Sequence, residues 1–140
     1  KLNARPIVMK KILVPLLSLI VSFNAYGEWT WVAKGMPKKN NVKTYYVDFA
    51  SVKINGNVFN WELVDYLKPD KFGDFSAKLF YESDCNIPRK RRMLSQLYYT
   101  QPMGEGSTST TNNKPHEWSY LVADSIWEEV SNRVCDYANQ

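Results

Sequence analysis

The chain has 140 residues, of which 44% are hydrophobic and 23% are charged, and its formal net charge is +4. This length is enough for a single domain. Four of the 18 basic residues and none of the 14 acidic residues lie in the first 27 positions. Residues 28–140 are therefore electrically balanced, which argues against a nucleic-acid-binding protein.

A secretory signal peptide is predicted at residues 9–27. Two lysines stand near its start, an almost unbroken apolar stretch follows at 12–23, and the small residues Ala25 and Gly27 end it. A basic start, a short apolar centre and a small-residue cleavage site are the parts of such a signal. The alternative is a buried core helix, which Pro15 in the apolar stretch disfavours.

The predicted cleavage falls between Gly27 and Glu28. It divides the chain into an upstream extension at 1–8, the signal peptide and a mature domain at 28–140. A bacterial lipoprotein would carry cysteine at the first mature position, where this chain has Glu28. We therefore expect an exported protein without a permanent membrane anchor, located in the periplasm, secreted, or associated with the cell surface.

Six strands are predicted in the mature domain, because apolar and aromatic residues recur there at every second position. The six stretches are EWTWVAK, KTYYVDF, VFNWELVDYL, SAKLFYESDC, RRMLSQLYYTQ and HEWSYLV. In the third strand the alternation places Phe59, Trp61 and Leu63 on the inward face. Asn60 and Glu62 are then expected on the outward face. Short strands joined by tight turns predict an antiparallel sheet.

Three connectors separate these strands. Asn55-Gly56 between the second and third strands is a strong hairpin signal. Residues 68–74 form a polar loop that contains proline and glycine. Residues 101–117 have almost no apolar side chain, so we predict a long flexible loop there, which is either functional or disordered.

One helix, at residues 125–137, is predicted near the end of the chain. Ser125, with Glu128 three positions later, fits a capping box that would start it. Its broad apolar face consists of Ile126, Trp127, Val130, Val134 and Tyr137. The predicted fold is therefore α+β, with an antiparallel sheet of about six strands packed against one C-terminal helix.

The two cysteines are predicted to form a disulfide. Cys85 ends the fourth predicted strand and Cys135 lies in the predicted helix. An even number of cysteines in an exported chain favours pairing. A bridge of this span stabilises a small domain by up to about 4 kcal/mol. The alternative is a metal site, for which His116 is the only histidine in the sequence. We therefore expect no metal and no cofactor.

The segment PRKRR at 88–92 is the densest concentration of charge in the mature domain. We predict that it forms a binding surface for heparin-like sugars, acidic protein segments or phosphate head groups. The predicted binding residues are Arg89, Lys90, Arg91 and Arg92. The alternative is a solvated turn before a strand, with side chains that alternate across it.

Motifs of hydrolases, kinases and dinucleotide-binding proteins are absent from the sequence. His116 is the sole candidate base, and it lies in the predicted flexible loop. The acidic pair Glu128 and Glu129 is explained by the preference of a helix N-terminus for negative charge. We therefore predict no catalytic residues and no enzymatic activity.

Several of these stretches form a pattern. They are YYVDFASVKINGNVFNWELVDY, SAKLFYESDCNIPRKRRMLSQLYY, a tryptophan-containing strand and a closing helix that contains VC. Their order and spacing resemble the surface-adhesin protein E family of Gram-negative bacteria, over about residues 29–137. The most specific elements are Tyr-Val-Asp at 46–48, Trp61, the run from Tyr81 to Cys85, and Cys135. The resemblance implies an antiparallel sheet, a C-terminal helix and a disulfide between the two cysteines.

The resemblance also implies a non-enzymatic adhesin, monomeric or homodimeric, that binds host matrix and serum proteins such as vitronectin, laminin and plasminogen. A second hypothesis is a periplasmic accessory or structural protein without a host ligand, because Glu28 stands where a lipid-carrying cysteine would be. A third is a carrier of a small ligand on the aromatic-rich sheet, although aromatics at strand spacing are more often core residues.

Overall fold

The computed structural model describes Asn3 and residues 28–35 and 41–140. The signal peptide predicted at 9–27 lies outside the described residues, so the cleavage between Gly27 and Glu28 stays a prediction.

Within residues 28–35 and 41–140, seven strands form one antiparallel sheet. They are β1 (Thr30–Gly35), β2 (Lys43–Asn55), β3 (Asn57–Tyr66), β4 (Ser76–Asp84), β5 (Lys90–Tyr99), β6 (Thr108–Asn112) and β7 (Ser119–Tyr120). The first six follow each other across the sheet in chain order, and β7 pairs with the start of β5. One helix, α1 (Ile126–Ala138), lies over β1, β2 and β3. The predicted α+β fold is confirmed.

The predicted hairpin and helix start are both present. β2 and β3 meet at Gly56, whose φ of 70° is in the left-handed region that glycine adopts without strain. The side chain of Ser125 accepts a hydrogen bond from the backbone N–H of Glu128, over 3.2 Å. The carboxylate of Glu128 reaches back to the N–H of Asp124 rather than to that of Ser125. The helix therefore starts where the sequence predicts, with one bond of the capping box shifted by a residue.

The main core lies between α1 and the sheet. Val130 and Val134 of the helix are fully buried against it. The rings of Tyr45 and Trp127 meet edge to face, with centroids 5.1 Å apart. Gly35 permits the close approach of α1, because a Cβ atom there would lie 2.6 Å from Cδ1 of Ile126.

The predicted disulfide joins Cys85, directly after β4, to Cys135 in α1, with Cα atoms 5.7 Å apart. Cys135 is 1% exposed, so the bridge lies at the core side of the helix. Because both cysteines are used in this bond, the alternative interpretation of a cysteine metal site is wrong.

The predicted orientation of β3 is wrong. Glu62 pairs with Val47, and Val64 pairs with Tyr45, so the even-numbered residues of β3 share the side that α1 covers. We call this side the helix face and the opposite side the far face. Asn60 and Glu62 are buried on the helix face, at 0% and 1% exposure. Phe59, Trp61 and Leu63, the residues that were predicted to point inward, therefore lie on the far face. Leu63 is nevertheless buried there, at 0% exposure.

Residues 101–117 are more ordered than the predicted flexible loop. A 3₁₀ turn at Pro102–Gly104 packs on the far face, where the N–H of Met103 donates to Asp65 and that of Gly104 donates to Ser76. Strand β6 then pairs with the end of β5. Hydrogen bonds to the sheet, rather than apolar burial, thus order this segment.

Candidate binding surface

The four predicted binding residues at 89–92 do not form one patch. Successive side chains of a strand point to opposite faces of the sheet. Arg89 and Arg91 accordingly extend towards the helix, whereas Lys90 and Arg92 lie on the far face. The structure therefore divides the basic segment into two pairs with different environments.

Arg91 is part of a buried ion pair. Its Nη1 atom lies 3.0 Å from Oε1 of Glu62, and the two side chains are 7% and 2% exposed. Its guanidinium lies 3.9 Å from the ring centroid of Tyr81 and 4.9 Å from that of Trp127. Since Glu62 compensates its charge, Arg91 connects β5 to β3 and to the helix rather than presenting charge to solvent.

The surroundings of Glu62 are polar although they belong to the core. Burial raises the pKa of Glu62, and the nearby positive charge of Arg91 opposes this shift. Within the described part of the chain, two buried atoms of residues that interact with Glu62 have no hydrogen-bond partner: the Tyr45 hydroxyl and Oδ1 of Asn60. Such groups are costly to bury, so this cluster lowers the stability of an otherwise apolar core.

Arg89 ties the segment after β4 to the helix. Its Nε atom donates to the carbonyl of Cys85 over 3.3 Å, and its Nη1 atom donates to Oδ1 of Asn132. Its Nη2 atom also lies 3.9 Å from the exposed carboxylate of Asp136. These contacts lie beside the disulfide, so Arg89 supports the attachment of α1.

On the far face, Lys90 and Arg92 both contact the ring of one tryptophan, Trp118. The Lys90 ammonium lies 5.2 Å from the ring centroid of Trp118, and the Arg92 guanidinium lies 4.8 Å from it. Arg92 also forms an ion pair of 2.7 Å with Glu82. We call Lys90, Arg92 and Trp118 the cationic platform. Trp118 was not predicted as a site residue, because strand pairing brings it here from a distant part of the sequence.

An aromatic surface adjoins the cationic platform on the far face. Glu82, the ion-pair partner of Arg92, pairs with Phe59 on β3. Phe80 then lies between Phe59 and Trp61, with centroid distances of 6.3 and 4.9 Å. The far face thus presents cations beside partly exposed aromatic rings, an arrangement that suits contact with a protein or a polyanion.

Metal-binding clusters and membrane-spanning helices are two other kinds of functional feature. No group of three histidine, cysteine, aspartate or glutamate side chains among the described residues is placed to hold a metal ion. In residues 28–35 and 41–140, no helix is long and apolar enough to cross a membrane.

Comparison with known proteins gives a match to a family model. The model, described as surface-adhesin protein E, matches residues 29–136. No curated protein and no solved structure matches the chain. The matched range contains all seven strands, both cysteines and most of α1.

Proposed function

The chain belongs to the surface-adhesin protein E family, and on this premise we propose that it is an exported, non-enzymatic protein that binds host extracellular proteins. Family membership supports an adhesin-like surface protein. Vitronectin, laminin and plasminogen are the candidate ligands, and heparin-like polyanions are the alternative ligand class.

We assign the contact to the cationic platform and the adjoining aromatic surface. The observation that carries this assignment is the convergence of Lys90 and Arg92 on Trp118. Tryptophan and arginine are enriched among the residues that dominate binding energy in protein interfaces. Arg89 and Arg91, which the helix and Glu62 engage, hold the platform strand in place in this proposal.

The test measures binding of residues 28–140 to immobilised vitronectin, laminin, plasminogen and heparin by surface plasmon resonance. Replacing both Lys90 and Arg92 by serine removes the two cations and also the ion pair of Arg92 with Glu82. Urea unfolding therefore establishes that the variant is folded under the binding conditions. We expect the affinity to fall at least about tenfold, which corresponds to about 1.4 kcal/mol. Trp118→Ala should reduce it by a similar factor.

The matched control is the double variant Lys34→Ser/Lys68→Ser. Both lysines are exposed and lie outside the platform, so this variant removes the same charge elsewhere. Equal losses in the two double variants would indicate a general charge effect and contradict the assigned surface. A parent protein that binds none of the four ligands, and is found only in periplasmic fractions, would support the accessory-protein hypothesis instead.

A further inference from the structure

A second surface feature, separate from the cationic platform, is a cleft of about 590 Å³. It lies between the connector that follows β3 and the end of the sheet formed by β5 and β6. Its lining residues are Asp70, Phe72, Asp74, Tyr98, Ser109 and Thr110. Tyr98 pairs with the buried core residue Ala77, which places the cleft on the helix face. The helix itself contacts β1, β2 and β3, so it leaves this end of the sheet accessible.

Two carboxylates of the cleft, those of Asp70 and Asp74, form no ion pair with any basic side chain among the described residues. Oδ1 of Asp70 accepts hydrogen bonds from the N–H groups of Phe72 and Asp74, over 2.8 and 3.0 Å. Oδ1 of Asp74 accepts a hydrogen bond from the Ser109 hydroxyl. The ion pairs among the described residues involve Arg89, Arg91 and Arg92, and none involves Asp70 or Asp74.

Asp74 is the more unusual of the two, because it is only 3% exposed. A buried carboxylate is costly unless a cation or several donors compensate it. Within the described residues, its Oδ2 atom accepts no hydrogen bond. This atom is also not completely shielded from solvent. Since Asp74 lines the cleft, the small accessible part of this side chain faces the cleft.

Two aromatic rings, those of Phe72 and Tyr98, line the cleft. Phe72 is 77% exposed, and the ammonium of Lys71 lies 4.8 Å from its ring centroid. Burial raises the pKa of Tyr98, and the negative charges of Asp70 and Asp74 raise it further. The Tyr98 ring therefore stands in the negative potential of the two carboxylates.

We propose that this cleft binds an organic cation, an ammonium or guanidinium group on an apolar stem. Carboxylates supply charge-assisted hydrogen bonds to such a group, and aromatic ring faces attract it through cation–π interaction. A hydrated Mg²⁺ or Ca²⁺ ion would instead require six or more oxygen ligands. The cation is carried either by a free polyamine or by a lysine or arginine side chain of a partner protein. This inference does not depend on the cationic platform.

The test is isothermal titration calorimetry of residues 28–140 with two probes. One probe is spermidine, and the other is the blocked peptide acetyl-Gly-Arg-Gly-Lys-Gly-amide. We expect saturable binding of at least one probe. Tighter binding of spermidine would assign the site to free amines, and tighter binding of the peptide would assign it to basic side chains.

The decisive variant is Asp70→Asn/Asp74→Asn. Asparagine keeps the side-chain oxygen that accepts the loop and Ser109 hydrogen bonds, so the fold is retained while both charges are removed. We expect at least about tenfold weaker binding of the probe. Phe72→Leu, which removes the ring but keeps an apolar side chain, should weaken binding by about threefold.

The control Glu105→Gln/Asp124→Asn removes two exposed charges outside the cleft. It should bind the probes as the parent does. Unfolding curves of all variants establish that each is folded under the titration conditions. Saturable binding of neither probe, or the same loss of affinity in both double variants, would overturn the proposal.

Discussion

Tyr45 occupies the centre of the core on the helix face. Its ring contacts Trp127 edge to face, and it is 1% exposed. The charges of Arg91 and Glu62 both act on its hydroxyl, which has no hydrogen-bond partner in the described part of the chain. The ring therefore contributes packing, while the hydroxyl makes the core sensitive to alkaline pH.

The first prediction at this scale concerns Tyr45→Phe. Burial raises the pKa of Tyr45 from 10.0 to about 12. The unfolded state releases this proton above about pH 10.0, whereas the native state keeps it up to about pH 12. The stabilising contribution of the Tyr45 hydroxyl to the free energy of unfolding is therefore fully present below pH 10.0 and is lost as the pH rises towards 12. Phenylalanine cannot titrate, so the decline of the unfolding free energy in that range should become less steep, by up to about 1.4 kcal/mol per pH unit.

Urea unfolding at neutral pH and at several alkaline pH values measures this effect. At neutral pH the variant should lie within about 1 kcal/mol of the parent, because the lost hydroxyl is unpartnered among the described residues. Tyr120→Phe is the control, since Tyr120 is 65% exposed. The same decrease in slope for both variants would contradict a special role of Tyr45.

Among the structural elements, the 3₁₀ turn at Pro102–Gly104 depends most on one residue. Gly104 has a φ of 68°. A Cβ atom there would overlap with Cε of Lys78 and would lie 3.4 Å from Cδ1 of Leu63. Lys78 in turn extends over the ring of Tyr99, 4.9 Å from its centroid. The absence of a side chain at residue 104 thus lets the turn pack closely against Lys78 and Leu63.

Gly104→Ala should lower the free energy of unfolding by about 2 kcal/mol. About half of this loss comes from the left-handed backbone and the rest from displacement of the Lys78 side chain. Gly56→Ala is a matched control, because Gly56 has a φ of 70° but no atom within 4 Å of the position that a Cβ would occupy. It should lose about 1 kcal/mol. Equal losses in urea unfolding would show that the contact with Lys78 does not matter.

Local sequence patterns predict the hairpin at Asn55-Gly56 and the start of α1, because adjacent residues determine both. They fail for β6, whose Thr108–Asn112 segment has no apolar alternation and pairs with β5 through its backbone. They also fail for the orientation of β3. Glu62 can lie in the core only because Arg91, from another strand, compensates it.

The same limit applies to the predicted site. The sequence locates the basic segment, but strand alternation separates Arg91 from Arg92. Trp118, which contacts Lys90 and Arg92 in the cationic platform, comes from a stretch that only the tertiary fold brings near these two residues. The cleft described above joins Asp74 to Ser109 in the same way. Sites built from neighbouring strands of a sheet are therefore poorly predicted from the spacing of residues along the chain.

At the scale of the whole molecule, the disulfide joins Cys85 to Cys135, which are 50 positions apart in the sequence, and it fixes α1 to the sheet. Replacing both cysteines by alanine should lower the free energy of unfolding by about 2–4 kcal/mol, mainly because the unfolded chain gains freedom. Urea unfolding of parent and variant, each with and without dithiothreitol, measures the loss. Reductant should destabilise the parent and leave the variant unchanged; a parent indifferent to reduction would contradict this prediction.

The order of the strands has a consequence for how the molecule forms. Because β1 to β6 pair in chain order, each new hairpin can add to strands that are already present, and long loop closures are few. The helix comes last, and it carries the second cysteine. With two cysteines in the chain, oxidation has a single intramolecular product. No wrongly paired isomer within one chain therefore has to be corrected before the native bridge between α1 and the sheet is in place.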